Sequence, residues 1–207
     1  MKVLGLDEAG RGCVLGPLVV GAFCYSGESL DEVKQTGATD SKKLSKKKRK
    51  TILTVLPTVG QPRLLEITPK QIDSGNINTL EEKAFLNHIV YFAPDVVYID
   101  APTHPRAIPA LQKRMEQYLA TQLETVPKLI IEPKADLNYP IVGAASIVAK
   151  VHRDGLIEAI GNVGSGYPSD PKTRNWLLGF IKRGETFPDC VRTRWGTIDS
   201  LRQQSLL

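Results

Sequence analysis

The apolar residues of this chain are grouped in short runs, which alternate with longer stretches of mixed apolar and polar residues. Three early runs, at residues 2–6, 15–25 and 63–68, predict β-strands. Two later runs, at 95–99 and 128–132, have the same character and predict two further strands. The apolar pattern therefore supplies the strands of one sheet.

Helices are expected between and after these strands. Ser45 has the position of an N-cap for a helix over 46–56. Asn78 followed by Glu81 resembles a capping box for a helix that ends near residue 92. Further helices are predicted over 106–124, over 141–160, from Pro171 onward and from Thr197 onward.

The order of these elements predicts the fold class. Three early strands followed by strand, helix, strand and helix describe an α/β domain around a mixed sheet. We expect the opening strands to be antiparallel and the later ones to be parallel, with right-handed crossovers. The 207 residues suffice for one domain with its own core, and no repeat or low-complexity linker marks a boundary. We therefore predict a single domain over 1–207.

Composition narrows the class of protein. Apolar residues make up 42% and charged residues 24%, as in ordinary soluble domains. The formal net charge of +5 permits a polyanionic partner without demonstrating one. Cys13, Cys24 and Cys190 form an odd set without C-x-x-C spacing, which favours a reducing compartment over a disulfide framework or a zinc site. The longest apolar run is too short to span a bilayer, so we expect a cytoplasmic protein without membrane attachment.

The end of the first predicted strand carries an unusual group of polar residues. Asp7 and Glu8 follow the apolar run directly and precede Gly10-Arg11-Gly12. Because neighbouring residues of a strand point to opposite faces, two acids that act at one place are expected just after the strand ends. The glycines permit a turn and leave backbone N–H groups open to a ligand. The arrangement is suited to a sugar-phosphate chain.

Acidic residues also lie near the ends of two later strands. Asp100 follows the fourth predicted strand, and Asp136 lies shortly after the fifth. Ligands of open α/β sheets collect at the carboxyl ends of strands, although an isolated Asp there is more often a turn or cap residue. Converging carboxylates would raise one another's pKa unless a cation neutralised them. Oxygen ligands suit Mg²⁺ or Mn²⁺, and two such ions serve phosphodiester hydrolysis.

Two groups of basic or polar residues are candidates for contact with a phosphate backbone. Seven of the nine residues over 42–50 are basic, and two interpretations of this run stay open. Either it is a solvated helix face, or Lys42 and Lys43 contact phosphates while the other residues add only charge.

Ser146, Lys150 and Arg153 recur at i, i+4 and i+7, so they share one face of the predicted helix over 141–160. This face would either grip the phosphate backbone or be an ordinary solvent face.

A series of motifs occurs in a fixed order along nearly the whole chain. The motifs are Asp7-Glu-Ala-Gly-Arg-Gly12 with Gly16-Pro17, Asp40-Ser-Lys-Lys-Leu44, Ile99-Asp100, Lys134-Ala-Asp136 with Ala144-Ala-Ser-Ile-Val-Ala-Lys150, Arg153-Asp154, and Gly164-Ser-Gly-Tyr-Pro-Ser-Asp-Pro171. Each is moderately specific, and their order is highly specific. Together they resemble ribonuclease HII, the type 2 ribonuclease H, and above all its archaeal branch.

The resemblance implies a ribonuclease H-like fold with a small helical C-terminal part over about 165–207. It implies endonucleolytic cleavage of RNA in RNA–DNA hybrids and on the 5′ side of a ribonucleotide embedded in duplex DNA. The products would carry 3′-hydroxyl and 5′-phosphate ends, with roles in primer removal and ribonucleotide excision. The family's four metal-binding and catalytic acids fall on Asp7, Glu8, Asp100 and Asp136.

The resemblance also implies how a ribonucleotide is recognised. The loop of Gly10, Arg11 and Gly12 would contact its 2′-hydroxyl together with Tyr167. The 2′-hydroxyl is both donor and acceptor, and it alone distinguishes RNA from DNA at one sugar. A loop tyrosine packed on the core is the alternative for Tyr167. Cys13 stands where many relatives have proline.

Two rival functions share some of these sequence features. Another ribonuclease H-like nuclease is a rival, although ribonuclease HIII normally carries an extra N-terminal domain, for which the first strand at residue 2 leaves no room. A non-catalytic nucleic-acid-binding protein would have no reason to place carboxylates facing phosphates.

Gln203 and Leu206 resemble the start of a sliding-clamp-binding peptide without its aromatic residues, and a frayed helix end is the alternative. We expect a monomer.

Overall fold

A five-stranded mixed sheet forms the centre of the computed structural model, which describes residues 1–38 and 43–205. The strands are β1 (Lys2–Ala9), β2 (Leu18–Ser26), β3 (Gln61–Ile67), β4 (Val96–Asp100) and β5 (Lys128–Glu132), in the order β3-β2-β1-β4-β5. β1 pairs antiparallel with β2 and parallel with β4. β2 and β3 are antiparallel, whereas β4 and β5 are parallel. The predicted α/β class and strand directions are confirmed.

Helices surround the sheet. They are α1 (Asp31–Gln35), α2 (Lys46–Val59), α3 (Pro69–Ser74), α4 (Ile77–Phe92), α5 (Ile108–Gln122), α6 (Ala135–Asn138), α7 (Pro140–Ile160), α8 (Pro171–Arg183) and α9 (Gly196–Gln204), with a 3₁₀ turn at Pro105–Ala107. The predicted cap of α2 is confirmed, because the Ser45 hydroxyl accepts a hydrogen bond from the N–H of Lys48 at 3.2 Å. The short helices α1, α3 and α6 were not predicted from the sequence. Among the described residues, no helix is long and apolar enough to cross a membrane.

The first strand is longer than predicted. β1 continues through Asp7 and Glu8 to Ala9, because these residues pair in register with Gly21, Val20 and Val19 of β2. The expectation that both acids lie after the strand end is therefore wrong.

The second strand and the start of α4 also differ from prediction. β2 begins at Leu18, three residues later than expected, and Leu15 instead forms an isolated bridge with Val191. Asn76 is the N-cap of α4, since its side chain accepts from the N–H groups of Asn78 and Thr79. The predicted capping box of Asn78 and Glu81 is wrong.

Two glycines allow α7 to lie unusually close to the sheet. A Cβ atom at Gly5 would lie 2.1 Å from the carbonyl oxygen of Ile141, and one at Gly21 would lie 2.3 Å from that of Ala145. Because any side chain at these positions would push the helix away, the glycines set the distance of α7 from β1, at Gly5, and from β2, at Gly21. This close packing carries the polar residues of α7 to the end of β1.

The C-terminal helices pack around the segment that follows β1. Val14 and Leu15 are fully buried against Leu177 of α8 and Ile198 of α9, in an apolar cluster separate from those on the two faces of the sheet. The loop between β1 and β2 is thereby held between the sheet and the C-terminal part. Residues near 190 can consequently support the loop that contains the glycines.

Candidate active site

A cleft of about 220 Å³ lies where β1 and β4 end. Its lining includes most of the predicted site residues, namely Asp7, Glu8, Gly10, Arg11, Gly12, Asp100, Ser146, Lys150 and Tyr167. They come from β1 and the loop after it, from β4, from α7 and from the loop before α8. Residues up to 160 positions apart in sequence therefore meet at one end of the sheet, where α/β folds bind ligands.

Asp7 and Glu8 place two neighbouring carboxyl groups in this cleft, and the pKa values of both are raised. Asp7 is only 5% exposed, and its pKa is raised well above its ordinary value by burial and then by the neighbouring charges of Glu8 and Asp100. Hydrogen bonds from the Ser146 hydroxyl and from the Glu8 N–H, the latter at 2.7 Å, oppose this shift. Burial and Asp100 likewise raise the pKa of Glu8, while Arg11 lowers it. Such a group of carboxylates is stabilised by a bound cation.

Asp100 and Asp136 meet through the first turn of α6. The Asp100 carboxylate accepts a hydrogen bond from the N–H of Ala135 at 3.0 Å. The next residue, Asp136, is 2% exposed, and neither of its carboxylate oxygens has a hydrogen-bond partner among the described residues. Asp136 is not part of the cleft lining described above. The structure thus brings three of the four predicted acids into one cleft and leaves the fourth buried beside the residue that binds Asp100.

The donor set fits a hard divalent cation. The acids offer oxygen ligands only, and a buried carboxylate without any partner is costly unless a cation compensates it. Within residues 1–38 and 43–205, however, no three His, Cys, Asp or Glu side chains already stand close enough to enclose a metal ion. Asp7, Glu8 and Asp100 are therefore the candidate ligands, and Asp136 would have to approach them.

A buried arginine from the C-terminal part supports the glycine loop. Arg192 is fully buried and donates hydrogen bonds to the carbonyl oxygens of Gly10 at 2.7 Å, Arg11 at 2.8 Å and Gly16 at 3.0 Å. This role of Arg192 was not predicted from the sequence, because residue type does not distinguish a buried arginine from the many surface ones.

The contacts of Arg192 determine where the loop's N–H groups point. In a trans peptide the C=O and the following N–H are directed to opposite sides, and the chain has no cis peptide among its described residues. The Gly10 and Arg11 carbonyls point to Arg192, so the N–H groups of Arg11 and Gly12, two residues that line the cleft, point away from Arg192. In the described part of the chain, neither N–H donates a backbone hydrogen bond. They are open donors for a ligand.

The side chain of Arg11 points to α4. Its guanidinium contacts the carboxylate of Glu81, which is fully buried, and the side-chain oxygen of Asn78. These are the two residues that had suggested a capping box. Arg11 thus ties the glycine loop to α4, and its charge also lowers the pKa of Glu8.

The predicted polar face of α7 has three different environments. Ser146 binds Asp7, and Lys150 lines the cleft with its Nζ atom 3.6 Å from the Asp154 carboxylate. Arg153 is buried at 3% exposure, so both alternatives for this face, phosphate contact and a solvent face, are wrong for Arg153. It donates instead to the carbonyl oxygen of Ser165 at 2.6 Å, in the loop that precedes Tyr167.

Tyr167 lies at the edge of the cleft with 37% of its surface exposed. The Gly166 carbonyl accepts hydrogen bonds from the N–H groups of Val14 at 2.9 Å and Leu15 at 3.2 Å, which joins its loop to the segment after β1. Tyr167 is therefore held beside the glycine loop, where both could contact the same ligand.

The basic run is mostly a solvent-exposed surface. Lys43 and the lysines of the first turns of α2 are exposed, whereas Arg49 is buried and donates to the Leu44 carbonyl at 2.6 Å. The prediction for Lys42 falls outside the described residues.

Comparison with known proteins gives one consistent result. The family model for ribonuclease HII matches residues 4–198. The ribonuclease HII of Archaeoglobus fulgidus is 38% identical over 98% of this chain and 97% of its own. That of Pyrococcus furiosus is 37% identical over 98% of this chain and 92% of its own.

Solved structures agree with the sequence comparison. The chain is similar to the ribonuclease H2 of Pyrococcus horikoshii OT3, with a TM-score of 0.85 and 37% identity over 99% of this chain and 98% of that one. The PCNA:RNase HII complex from Archaeoglobus fulgidus matches with a TM-score of 0.85 and 36% identity over 97% of each chain. Bst-RNase HIII in complex with Mn²⁺, at 18% identity and a TM-score of 0.76, shares the fold over 99% of this chain and 70% of its own.

Proposed function

This chain belongs to the ribonuclease HII family and is a ribonuclease H endonuclease, and we propose which substrates and which bonds it cleaves. It cleaves RNA within RNA–DNA hybrids and on the 5′ side of a ribonucleotide embedded in duplex DNA, and it leaves 3′-hydroxyl and 5′-phosphate ends. These activities serve primer removal and ribonucleotide excision. The observation that supports the proposal is a cleft lined by three carboxylates and by the glycine loop, in which the N–H groups of Arg11 and Gly12 donate no backbone hydrogen bond to a described residue.

The test uses duplex DNA with one ribonucleotide, the same duplex without it, and an RNA–DNA hybrid, each with and without Mg²⁺. We expect cleavage of the first and third substrates in the presence of the metal, with the cut on the 5′ side of the single ribonucleotide. Uncut single-ribonucleotide duplex would reject the specificity proposed here. Cleavage of the all-DNA duplex would favour another ribonuclease H-like nuclease.

The proposal includes two divalent ions, Mg²⁺ or Mn²⁺, held by Asp7, Glu8 and Asp100, with Asp136 as the fourth acid. When bound, such ions supply an activated water and stabilise the leaving oxygen. The protein's own residues prepare the site. Ser146 orients the Asp7 carboxylate, and the N–H of Ala135 orients that of Asp100.

Recognition of the ribose rests on the loop and the tyrosine. The N–H groups of Arg11 and Gly12 donate to the 2′-oxygen, while the Tyr167 hydroxyl supplies a second hydrogen bond and its ring packs on the next sugar. A site that hydrogen-bonds a hydroxyl rejects the analogue without it, because its own polar groups are then left unpaired.

We expect Tyr167→Phe to lower cleavage of the single-ribonucleotide duplex modestly and Tyr167→Ala to lower it further. Both losses should be smaller on a long hybrid, where a register without a following deoxyribose already lacks part of the contact. The measurement is kcat/KM on both substrates. Tyr118→Ala, an exposed tyrosine on α5, is the control and should change neither rate. Equal losses on the two substrates would show that Tyr167 only packs.

The basic run contributes to backbone binding through Lys42 and Lys43. Because neutralised phosphates release counterions, the double variant Lys42→Ala/Lys43→Ala should lower the slope of log affinity against log salt by about one unit per lost contact. Duplex affinity measured at several salt concentrations gives the slope. The control, Lys113→Ala/Lys182→Ala, removes the same charge from two exposed positions outside the run. An equal slope in both double variants means that the run is only a solvated face.

A sliding clamp is the partner proposed for the C-terminus. The support is the similarity to a ribonuclease HII that was solved in complex with PCNA, together with the exposed position of Gln203 at the end of α9. Leu206 lies outside the described residues. Binding to the clamp from the same organism should be lost when the chain ends at Arg202 and kept in Ser205→Ala. Equal binding of the truncated and full-length chains rejects this partner site.

A further inference from the structure

Asp154 lies on α7 among three basic side chains. Its Oδ1 atom accepts a hydrogen bond from the Arg153 guanidinium at 3.2 Å. Its Oδ2 atom lies 3.6 Å from Nη2 of Arg49 on α2 and 3.6 Å from Nζ of Lys150, one turn earlier on α7. Because 20% of the Asp154 side chain is exposed, these ion pairs are screened less than pairs on an open surface. One carboxylate thus holds three cations.

Lys150 depends on this carboxylate more than the two arginines do. Arg153 and Arg49 are buried, and each also donates to a main-chain carbonyl at 2.6 Å. Lys150 lines the cleft, and 26% of its side chain is exposed. Its flexible four-carbon stem allows the ammonium group several positions. The ion pair with Asp154 therefore determines which of these positions the ammonium group takes.

Three other carboxylates, those of Asp7, Glu8 and Asp100, line the same cleft as Lys150. An ammonium group released into a cleft of about 220 Å³ is attracted to them, because opposite charges interact strongly where solvent is restricted. It would then neutralise the acids proposed to bind Mg²⁺, and it would no longer be available to a phosphate of the substrate. Lys150 thus helps or hinders the site according to the carboxylate with which it pairs.

We propose that Asp154 is a positioning residue, which holds the Lys150 ammonium group away from the metal-binding carboxylates and available to a substrate phosphate. This inference rests on the proposed function, since it concerns the Mg²⁺ site and the phosphate chain in the same cleft. Because Lys150 and Asp154 are at i and i+4 of one helix, the restraint is built into α7 itself.

The experiment titrates the wild type and Asp154→Asn with MgCl₂ at constant ionic strength and records the melting temperature, from which the affinity for Mg²⁺ follows. Asparagine keeps the size of the side chain and an acceptor for Arg153, but not the charge that binds Lys150. We expect Asp154→Asn to bind Mg²⁺ about tenfold more weakly, the lower end of the effect of residues that surround metal ligands. Asp154→Glu, which keeps the charge, should retain most of the affinity. Asp154→Ser replaces the asparagine variant if the latter does not fold.

Glu158→Gln is the matched control. Glu158 lies one turn farther along α7, pairs with Lys46 of α2, and has 49% of its side chain exposed. The variant removes the same charge from the same helix, so it measures the effect of net charge alone. We expect its affinity for Mg²⁺ to match that of the wild type. A loss as large as that of Asp154→Asn would mean that only net charge matters, which overturns the proposal.

A double-mutant cycle isolates the contribution of Lys150. Lys150→Met should change the affinity for Mg²⁺ little when Asp154 is present, because the ammonium group is already held away from the acids. In the Asp154→Asn background the same change should restore most of the lost affinity, because the competing charge is gone. Equal effects in the two backgrounds overturn the role of Asp154, since independent charges act additively.

Cleavage of the RNA–DNA hybrid gives a second readout. The double variant Lys150→Met/Asp154→Asn should regain Mg²⁺ affinity while kcat/KM stays low, because the phosphate contact is lost with the lysine. Wild-type kcat/KM in the double variant would overturn the phosphate contact. A wild type that Mg²⁺ neither stabilises nor activates overturns the proposed function instead, so the two failures are distinguishable.

Discussion

Asp100→Asn should abolish cleavage while duplex binding and folding are retained. The amide keeps the size of the side chain and an oxygen that accepts from the N–H of Ala135, so α6 stays in place. It removes one of the three negative charges that we propose hold a divalent cation, the other two being those of Asp7 and Glu8. Loss of an outer partner of a metal ligand costs about 10–100-fold, so loss of a ligand itself should cost at least that much. Binding should not weaken, because the lost charge faces the phosphates.

The measurements are cleavage of the single-ribonucleotide duplex, duplex affinity, and melting temperature with and without Mg²⁺. Metal that binds only the folded state raises the melting temperature of the wild type, and this rise should shrink in the variant. Asp199→Asn, at an exposed position on α9, is the control. The same assay on Asp136→Asn tests the fourth acid, which the structure leaves outside the cleft lining. Substantial cleavage by Asp100→Asn would disprove the ligand assignment.

Arg192→Met should destabilise the protein and impair cleavage at temperatures where the variant remains folded. The change removes three hydrogen bonds from a charged group, which takes away the Arg192 partner of the Arg11 and Gly16 carbonyls and leaves the Gly10 carbonyl with the N–H of Cys13. A hydrogen bond to a charged group contributes about 1.5–3 kcal/mol, and contributions within one cluster are not additive. We expect a loss on the order of 3 kcal/mol in the free energy of unfolding, or about 10 °C in melting temperature.

The loss of activity has a separate cause. Without Arg192 the peptide planes of the loop can rotate, and the N–H groups of Arg11 and Gly12 no longer have a fixed direction. Arg192→Lys should give an intermediate result, because an ammonium group lacks the planar fork that reaches several carbonyls. Arg194→Met, an exposed position two residues away, is the control. An Arg192→Met variant as stable and as active as the control would show that the glycine loop keeps its conformation without Arg192.

The local pattern of the sequence was sufficient to predict most of the strands and helices and to predict that the acids share one site. The bounds of β5 and the cap of α2 agree with prediction, and so do the directions of the strands. Strands and helices follow from apolar spacing over a few residues, and a strand that ends in an acid directs that acid to the sheet's carboxyl edge. The convergence of Asp7, Glu8 and Asp100 could therefore be predicted before any tertiary contact was known.

Tertiary packing determined how far β1 extends and which side chains support the site. Asp7 and Glu8 lie within β1 because pairing with β2 extends the strand past the point where its apolar run ends. Glu81 serves Arg11 rather than a helix cap, and Arg192 reaches a loop 182 residues earlier in the chain. A hydrogen bond between distant residues depends on how the elements pack, and packing is set by the summed burial of many side chains rather than by any local pattern. The chemistry of this site could therefore be predicted from short motifs, whereas its geometry depends on the whole fold.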